Sequence, residues 1–524
     1  MTTTKATSGS REIVALLSDP SAYSDHPSRV EVVETHISWV FLTDRHAYKL
    51  KKPVRLEFLD FSTPALRRRA CLDEVRLNQR LAPDVYIGVL PITRDSHGNV
   101  ALGGDGQEID WVVQMRRLPK ENSLDILLHH GRLASEQAQS IATRFASFYS
   151  QLLPKPVSPN DYWAALEHHI RANGVALLGA LAGDTPKLRR VQTAQLRYLN
   201  VEADVIEGRA TCGRIVEGHG DLRPEHIYIV DDHPIVIDCI EFSDDLRTLD
   251  IADELSFLGM ECQRLGDGGL GELVLAEYER ICRDDVHQSL LDFYRCYRAT
   301  VRAKVALIRH QQHPDEMSAE LIRQYLDLAD DYAKRLGPPM LVTVGGLMGS
   351  GKSTLAAELG RALDVEILST DHIRRRIIGA SASPAGYGEG NYQPDMRSRV
   401  YDQLLHEAGE LLHEGQSVIL DGTFLTCGLR DRANDVANRH GAIALHVQCT
   451  CQRHIAYARI QKRAESGLSE SEARTELYDL QAKELEPPWA DEPAISVDST
   501  QPVARQAKAV FAELRAHLGQ RARA

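Results

Sequence analysis

The chain has 524 residues, too many for one ordinary hydrophobic core, so two or more domains are expected. With 43% hydrophobic and 26% charged residues it is not a disordered polymer, and a net charge of -13 excludes the broadly basic surface that sequence-blind nucleic-acid binding needs. The first ten residues hold no apolar signal core, and no stretch approaches the roughly 18 apolar residues that cross a bilayer, so a cytoplasmic protein without a membrane partner is expected.

In chain order, short strands are predicted at 30–35, 38–43, 47–51, 85–92 and 111–115, interrupted by one helix-period run from Ala65 to Leu81. Lys49 and Lys51 alternate onto one face of the third strand, and Glu74 lies mid-helix, where a carboxylate could pair with a phosphate-binding lysine. An ordinary basic strand edge is the simpler reading of these lysines. From about Ala134 the pattern turns helical, apart from strand-like pieces at 214–216, 227–230 and 234–240. The run His219-Gly220-Asp221-Leu222-Arg223-Pro224-Glu225-His226 resembles a kinase catalytic loop of the form H-x-D-x-x-x-x-[metal ligand], and the strand after it carries Asp238. A strand-turn-strand hairpin would bring Asp221 and Asp238 face to face, the first toward an acceptor hydroxyl and the second toward a metal on phosphates.

Two helical runs, Leu290 to His310 and Ser318 to Leu336, stop at Gly337-Pro338-Pro339, which cannot continue a helix. The domain boundary is placed there, giving 1–337 and 340–524. Beyond it, strands at 341–345, 365–369, 417–421 and 443–448 alternate with helices, the pattern of a parallel sheet with crossover helices. The first strand leads into Gly346-x-x-Gly349-Ser350-Gly351-Lys352-Ser353-Thr354, a complete phosphate-binding loop between a strand and a helix. Its glycines let backbone N–H groups turn toward phosphate oxygens, Lys352 adds a point charge, and the Ser353 hydroxyl suits Mg²⁺. Asp371 and Asp421 end neighbouring strands beside this loop, Asp371 as a base for an attacking hydroxyl and Asp421 as support for the metal; a helix N-cap or turn is the plain alternative for each. Arg459 and Arg463 share a helix face before Ser466-Gly467, where an arginine on a lid could neutralise phosphate charge. The nine cysteines show no C-x-x-C; Cys449 and Cys451 would share a strand face, and reduced thiols are expected.

Gly346 to Thr354, Thr370-Asp371-x-x-Arg374, Leu420-Asp421-Gly422-Thr423 and the Arg459/Arg463 helix together resemble the small P-loop kinases of the polynucleotide-kinase, gluconate-kinase and zeta-toxin type, over about 180 residues. That resemblance implies an α/β P-loop NTPase with a parallel sheet, Asp371 as the base and Arg463, with Arg459 second, as the lid arginine. His219-Gly220-Asp221-Leu222, Ile237-Asp238 and Asp250-Ile251-Ala252, with Lys49 and Glu74 upstream, resemble the aminoglycoside-phosphotransferase-like kinases, over about 300 residues. Here the implied fold is the two-lobed α+β fold of protein kinases. The two-domain combination also resembles bacterial proteins labelled aminoglycoside phosphotransferase/ATP-binding.

Two departures stand out. Thr35-His36-Ile37-Ser38 has no glycine-rich loop, and His226 occupies the position of a metal-ligating asparagine, where imidazole suits Mn²⁺ better than hard Mg²⁺. The expected function is a bifunctional, ATP- and Mg²⁺-dependent phosphotransferase acting on hydroxyls of small molecules. The alternatives are a nucleotide-responsive regulator with a pseudokinase first domain, and a polynucleotide 5′-hydroxyl kinase whose basic channel would use Arg374, Arg375, Arg376, Arg397 and Arg399.

Overall fold

The computed structural model describes residues 8–56, 59–378, 394–466, 475–489 and 492–521. The chain forms two compact units, one of Met1–Val157 with Arg209–Arg295 and the other of Ser158–Gly208 with Cys296–Ala524.

In the first unit, six antiparallel strands pair in the order Glu31–Glu34, Ser38–Leu42, His46–Lys51, Gln107–Arg116, Tyr86–Arg94, Val100–Leu102. The helix Pro64–Asn78 starts where Thr63 caps it and proline occupies its first turn. It buries Arg67, Ala70, Cys71, Glu74, Leu77 and Asn78, a helical stripe that packs against Trp111, Val113 and Met115 of the sheet. Arg67 fixes this docking through paired bonds to Asp110, Nε to Oδ1 and Nη2 to Oδ2, both 2.8 Å. The later part of the unit is mainly helical, and within it the hairpin Ile227–Val230/His233–Val236 carries the candidate loop. The expected strand at 234–240 stops at Val236, because Asp238 takes the left-handed conformation (φ 65°) and turns the chain out of the ladder.

The second unit is built on five parallel strands in the order Glu366–Ser369, Val418–Asp421, Met340–Gly346, Ile443–Thr450, Ala494–Asp498. Alternation along the central strand sends Val342 and Val344 to one apolar layer with Leu355, Leu359 and Val510, and Leu341 to the other with Leu404, Leu420 and Val436. The strand at 494–498, absent from the sequence expectation, completes one edge. Cys449 is buried in its strand, but Cys451 lies beyond the strand end at Thr450, so the two do not share a strand face. All nine cysteines are free thiols.

The compact units do not coincide with the expected domains 1–337 and 340–524. Helix Thr185–Val201 belongs with the P-loop sheet: Gln192 Nε2 donates to Asp364 Oδ2 (2.8 Å) and Thr193 Oγ1 to the Asp364 carbonyl (3.2 Å), at the end of the helix that follows the phosphate loop. Arg197, buried and lowered by that burial to about 10, donates to the carbonyls of Leu336, Gly337 and Pro338. The Gly-Pro-Pro segment is therefore held by hydrogen bonds along its backbone. Among the described residues no helix is long and apolar enough to cross a membrane.

His446, on the strand beside the phosphate-loop strand, is buried between the Thr343 hydroxyl (2.8 Å) and Gln448 Oε1 (3.1 Å). Burial lowers its imidazole from 6.5 to about 4. The unfolded chain therefore takes up a proton between those values that the folded chain does not, so stability is unaffected above pH 6.5 and falls as pH drops toward 4, by about 3 kcal/mol from this group. Denaturant unfolding at pH 7 and pH 4.5 should show His446→Gln to be less acid-sensitive than the wild type; equal sensitivity would refute the assignment.

Candidate active sites

The first site assembles side chains from four separate stretches of sequence. Lys49 Nζ donates to Glu74 Oε1 (2.9 Å) and to Asp238 Oδ1 (2.5 Å). Burial alone would lower the Lys49 ammonium, but Asp238 and Glu74 outweigh it and raise it well above its ordinary range. Burial likewise opposes ionisation of Asp238, and Lys49 with His226 overcomes it, holding that carboxyl well below the usual carboxylate range. Lys51 reaches the same carboxylate of Glu74 through Oε2 (2.6 Å) but is fully buried and also binds Glu241. The alternation expected of the strand holds, and exposure separates the two lysines: Lys49 is the one that borders solvent.

The hairpin brings His226 between the two acids. Its Nδ1 lies 2.9 Å from the Asp221 carbonyl, which can only accept, so Nδ1 carries the proton and the lone pair sits on Nε2. That Nε2 is 3.5 Å from Asp238 Oδ2 and 3.1 Å from Arg223 Nη2. Arg223 Nε also lies 3.0 Å from Asp221 Oδ1. Asp221 and Asp238 thus face a common space through His226. Nε2 thus accepts from Arg223 and has the Asp238 carboxylate beside it, so a cation bound there would take the place of the Arg223 bond. Among the described residues no three His, Cys, Asp or Glu side chains group so as to hold a metal ion by themselves. This donor set fits a divalent cation that completes its shell with nucleotide phosphates and water.

Several partners of this site carry no motif signal. Glu254, fully buried, accepts from the backbone N–H groups of His219 (2.9 Å) and Gly220, and its Oε2 also accepts from the Tyr149 hydroxyl (2.6 Å). The Tyr86 hydroxyl accepts from the Asp238 N–H (3.1 Å), and Asn78 Oδ1 from the Cys239 N–H (2.9 Å). Asp250, quoted in the Asp-x-Ala pattern, caps helix Ile251–Arg264 and takes two 2.7 Å bonds from Arg209.

The second site is the phosphate loop. Gly346, Gly349 and Gly351 all have positive φ (139°, 76° and 89°), and Gly351 precedes helix Lys352–Leu363. The Gly346 N–H is tied to the Thr423 carbonyl (3.0 Å), so the loop is anchored to the turn after Asp421. Ser353 and Thr354 are exposed in the first helical turn, Ser350 is buried, and Lys352 Nζ lies 3.4 Å from the Leu347 carbonyl. Asp421 ends the neighbouring strand in register with Val344, two residues before Gly346. Asp371, in the first turn of the helix Thr370–Ile378, accepts from Arg374 (2.6 Å). Arg459 is held against the loop, donating to the Gly349 carbonyl (3.3 Å) and to Ser499 Oγ and O (both 2.9 Å). Arg463 lies in helix Arg453–Ser466, but its side chain is outside the described residues.

A family model of the AAA domain (AAA_33) matches residues 341–488. The Mycobacterium tuberculosis H37Rv protein "Uncharacterized protein Rv2004c" is 33% identical over 462 residues, covering 85% of this chain and 88% of that protein, and Mycobacterium bovis Mb2027c gives the same values. The chain belongs to the family of Rv2004c. Its C-terminal part is similar to a gluconokinase from Sinorhizobium meliloti 1021, with 22% identity, 35% of this chain and 97% of that chain covered, and a TM-score of 0.26. Its kinase-like part is similar to APH(2″)-IIIa, solved as a GDP and kanamycin complex, with 13% identity, 59% and 94% coverage and a TM-score of 0.36. The matched AAA-domain model and the five-stranded parallel sheet with its phosphate loop make the C-terminal part a P-loop fold, which implies nucleotide binding.

A methyl group on Gly346 would meet the Cys449 carbonyl and the Ser350 hydroxyl, each at 2.6 Å. Gly346→Ala should therefore weaken nucleotide binding at this loop by roughly tenfold or more in calorimetric titration, with the helix and strand content unchanged. Undisturbed nucleotide binding would show that the loop does not hold nucleotide.

Proposed function

We propose that this chain is an ATP-dependent phosphotransferase with two unrelated active sites, each transferring a phosphoryl group to a hydroxyl of a small molecule. The observation that carries the reading is the convergence of Lys49, Glu74 and Asp238, with His226 linking Asp238 to Asp221. Paired cation, phosphate-facing acid and acceptor-facing acid are the parts that phosphoryl transfer needs, since its catalysis is mostly positioning and charge stabilisation. Next to them Val40, Leu42, Leu118, Ile235 and Ile237 remain partly exposed around Ala47 and Met115, an apolar surface suited to a nucleotide base. The motif division into 1–337 and 340–524 is kept as a division of chemistry, distinct from the compact units.

In the first site Lys49, aligned by Glu74, steadies the phosphates. Asp221 takes the proton of the acceptor hydroxyl as its oxygen bonds to the γ-phosphorus and ADP departs, and Arg223 keeps that carboxylate oriented. In the second, Gly346 to Thr354 hold the triphosphate, Asp371 takes the proton, and Arg463 neutralises charge on the phosphoryl oxygens. Arg374 keeps Asp371 in place. A bound Mg²⁺ supplies charge neutralisation at both sites. Asp238 and His226 would hold it in the first, where Mn²⁺ also suits, and Ser353 and Asp421 in the second.

A polynucleotide acceptor is less favoured: Arg374, Arg376 and Arg397 are each engaged by an acid, Asp371, Glu407 and Glu484, which weighs against an open basic channel.

ATP turnover should be followed in the full chain against a panel of sugars, amino alcohols and oligonucleotide ends. Lys352→Ala should silence the second site, and Asp371→Asn and Asp221→Asn should each lower transfer at their own site by roughly a hundredfold or more. ATP binding with no transfer to any acceptor would make the protein a nucleotide-responsive regulator. Undiminished second-site transfer in Asp371→Asn would remove Asp371 as the base.

In a Lys352→Ala background, His226→Asn should preserve or raise first-site turnover with Mg²⁺ while reducing any preference for Mn²⁺. Complete loss of turnover in a folded His226→Asn chain would assign the imidazole a structural role.

A further inference from the structure

Lys51, Glu74 and Glu241 form a second ion chain behind the first site. Glu74 is fully buried and divides its carboxylate, Oε1 to Lys49 and Oε2 to Lys51, and Lys51, equally buried, continues to Glu241. With Asp238 on the far side of Lys49 the order is Asp238, Lys49, Glu74, Lys51, Glu241, alternating in sign through five side chains. The two ends lie three residues apart in one turn, which Asp238 enters with φ 65°. Burial lowers the Lys51 ammonium's affinity for its proton, and Glu241 and Glu74 reverse this and hold it protonated above its ordinary range.

For Lys49 to turn toward phosphates and Asp238 toward a metal, their 2.5 Å bond must lengthen or be shared. When Lys49 shifts, a buried Glu74 with no other cation would be left uncompensated, which the protein interior penalises heavily. Lys51 removes that difficulty. On the reading of the first site proposed above, we infer that Lys51 and Glu241 are positioning residues: they hold Glu74 and the Asp238–Glu241 turn in place while Lys49 exchanges Asp238 for phosphate. They touch neither nucleotide nor acceptor. The same helix is pinned elsewhere by Arg67 to Asp110 and by Asn78 to the Cys239 N–H, which hold its backbone while Lys51 holds the Glu74 carboxylate.

The test compares ATP with adenosine, which lacks the phosphates, in full-length Lys352→Ala chains by calorimetry. Lys51→Met should weaken ATP roughly tenfold or more while leaving adenosine within about twofold, and Lys51→Arg should recover most of the ATP affinity. The double variant Lys51→Met/Glu241→Met, which removes both buried charges and so protects the fold, should keep the selective ATP defect. Unchanged ATP affinity in Lys51→Met overturns the inference, as does recovery of ATP affinity in the double variant or an equal loss of ATP and adenosine in both. A Lys352→Ala parent that binds neither ligand would instead overturn the first-site reading itself, and the inference with it.

Discussion

A charge taken out of water must find an opposite charge or a set of hydrogen bonds, and the first unit is arranged around that demand. Glu74 sits in the buried stripe of its helix, and it is tolerable there because the adjacent strand offers two lysines on one face. The helix position, the strand register and the turn at Asp238 are therefore one problem with one solution. Moving the strand by a single residue would turn both lysines away and leave Glu74 unpaired. Glu254 solves a similar problem beneath the catalytic loop, where it satisfies the two backbone donors at His219 and Gly220 that the sharp bend at Gly220 leaves outside any ladder.

The second unit's candidate site is built on backbone geometry, with Lys352 as its side-chain charge. Its central strand is buried throughout and flanked by parallel neighbours on both edges, so the strand's end is a rigid platform. The loop that leaves it turns through three glycines with positive φ, conformations that a side chain would oppose. The two candidate sites are built differently: paired buried ions in one, a helix start and a glycine turn in the other.

Much of this was legible in the sequence where function and local structure write the same signal. The phosphate loop and the strand ends at Asp421 and before Asp371 follow from spacing and periodicity, while the Lys49–Glu74 pairing and the facing of Asp221 and Asp238 are legible through the resemblance to kinase motifs. The choice between Lys49 and Lys51 was not legible, because alternation gives both the same face and only burial parts them. Glu254, Tyr86, Asn78 and Glu241 escaped for a related reason: each acts on its partner from distant sequence, and nothing at its own position distinguishes it from an ordinary acid, tyrosine or amide. Strand 494–498 was missed because five residues of mixed polarity at a sheet edge have little periodicity to show.

Arg197 gives the Gly337-Pro338-Pro339 segment another significance. A proline-rich joint that reads as a tether is, in three dimensions, a stretch whose carbonyls are occupied by a guanidinium from helix Thr185–Val201. Cutting there would orphan those carbonyls and strip the end of the phosphate-loop helix of Gln192 and Thr193. The residues around the phosphate-loop helix are consequently drawn from both sides of the proline-rich joint, and a boundary placed at that joint divides one hydrogen-bonded unit.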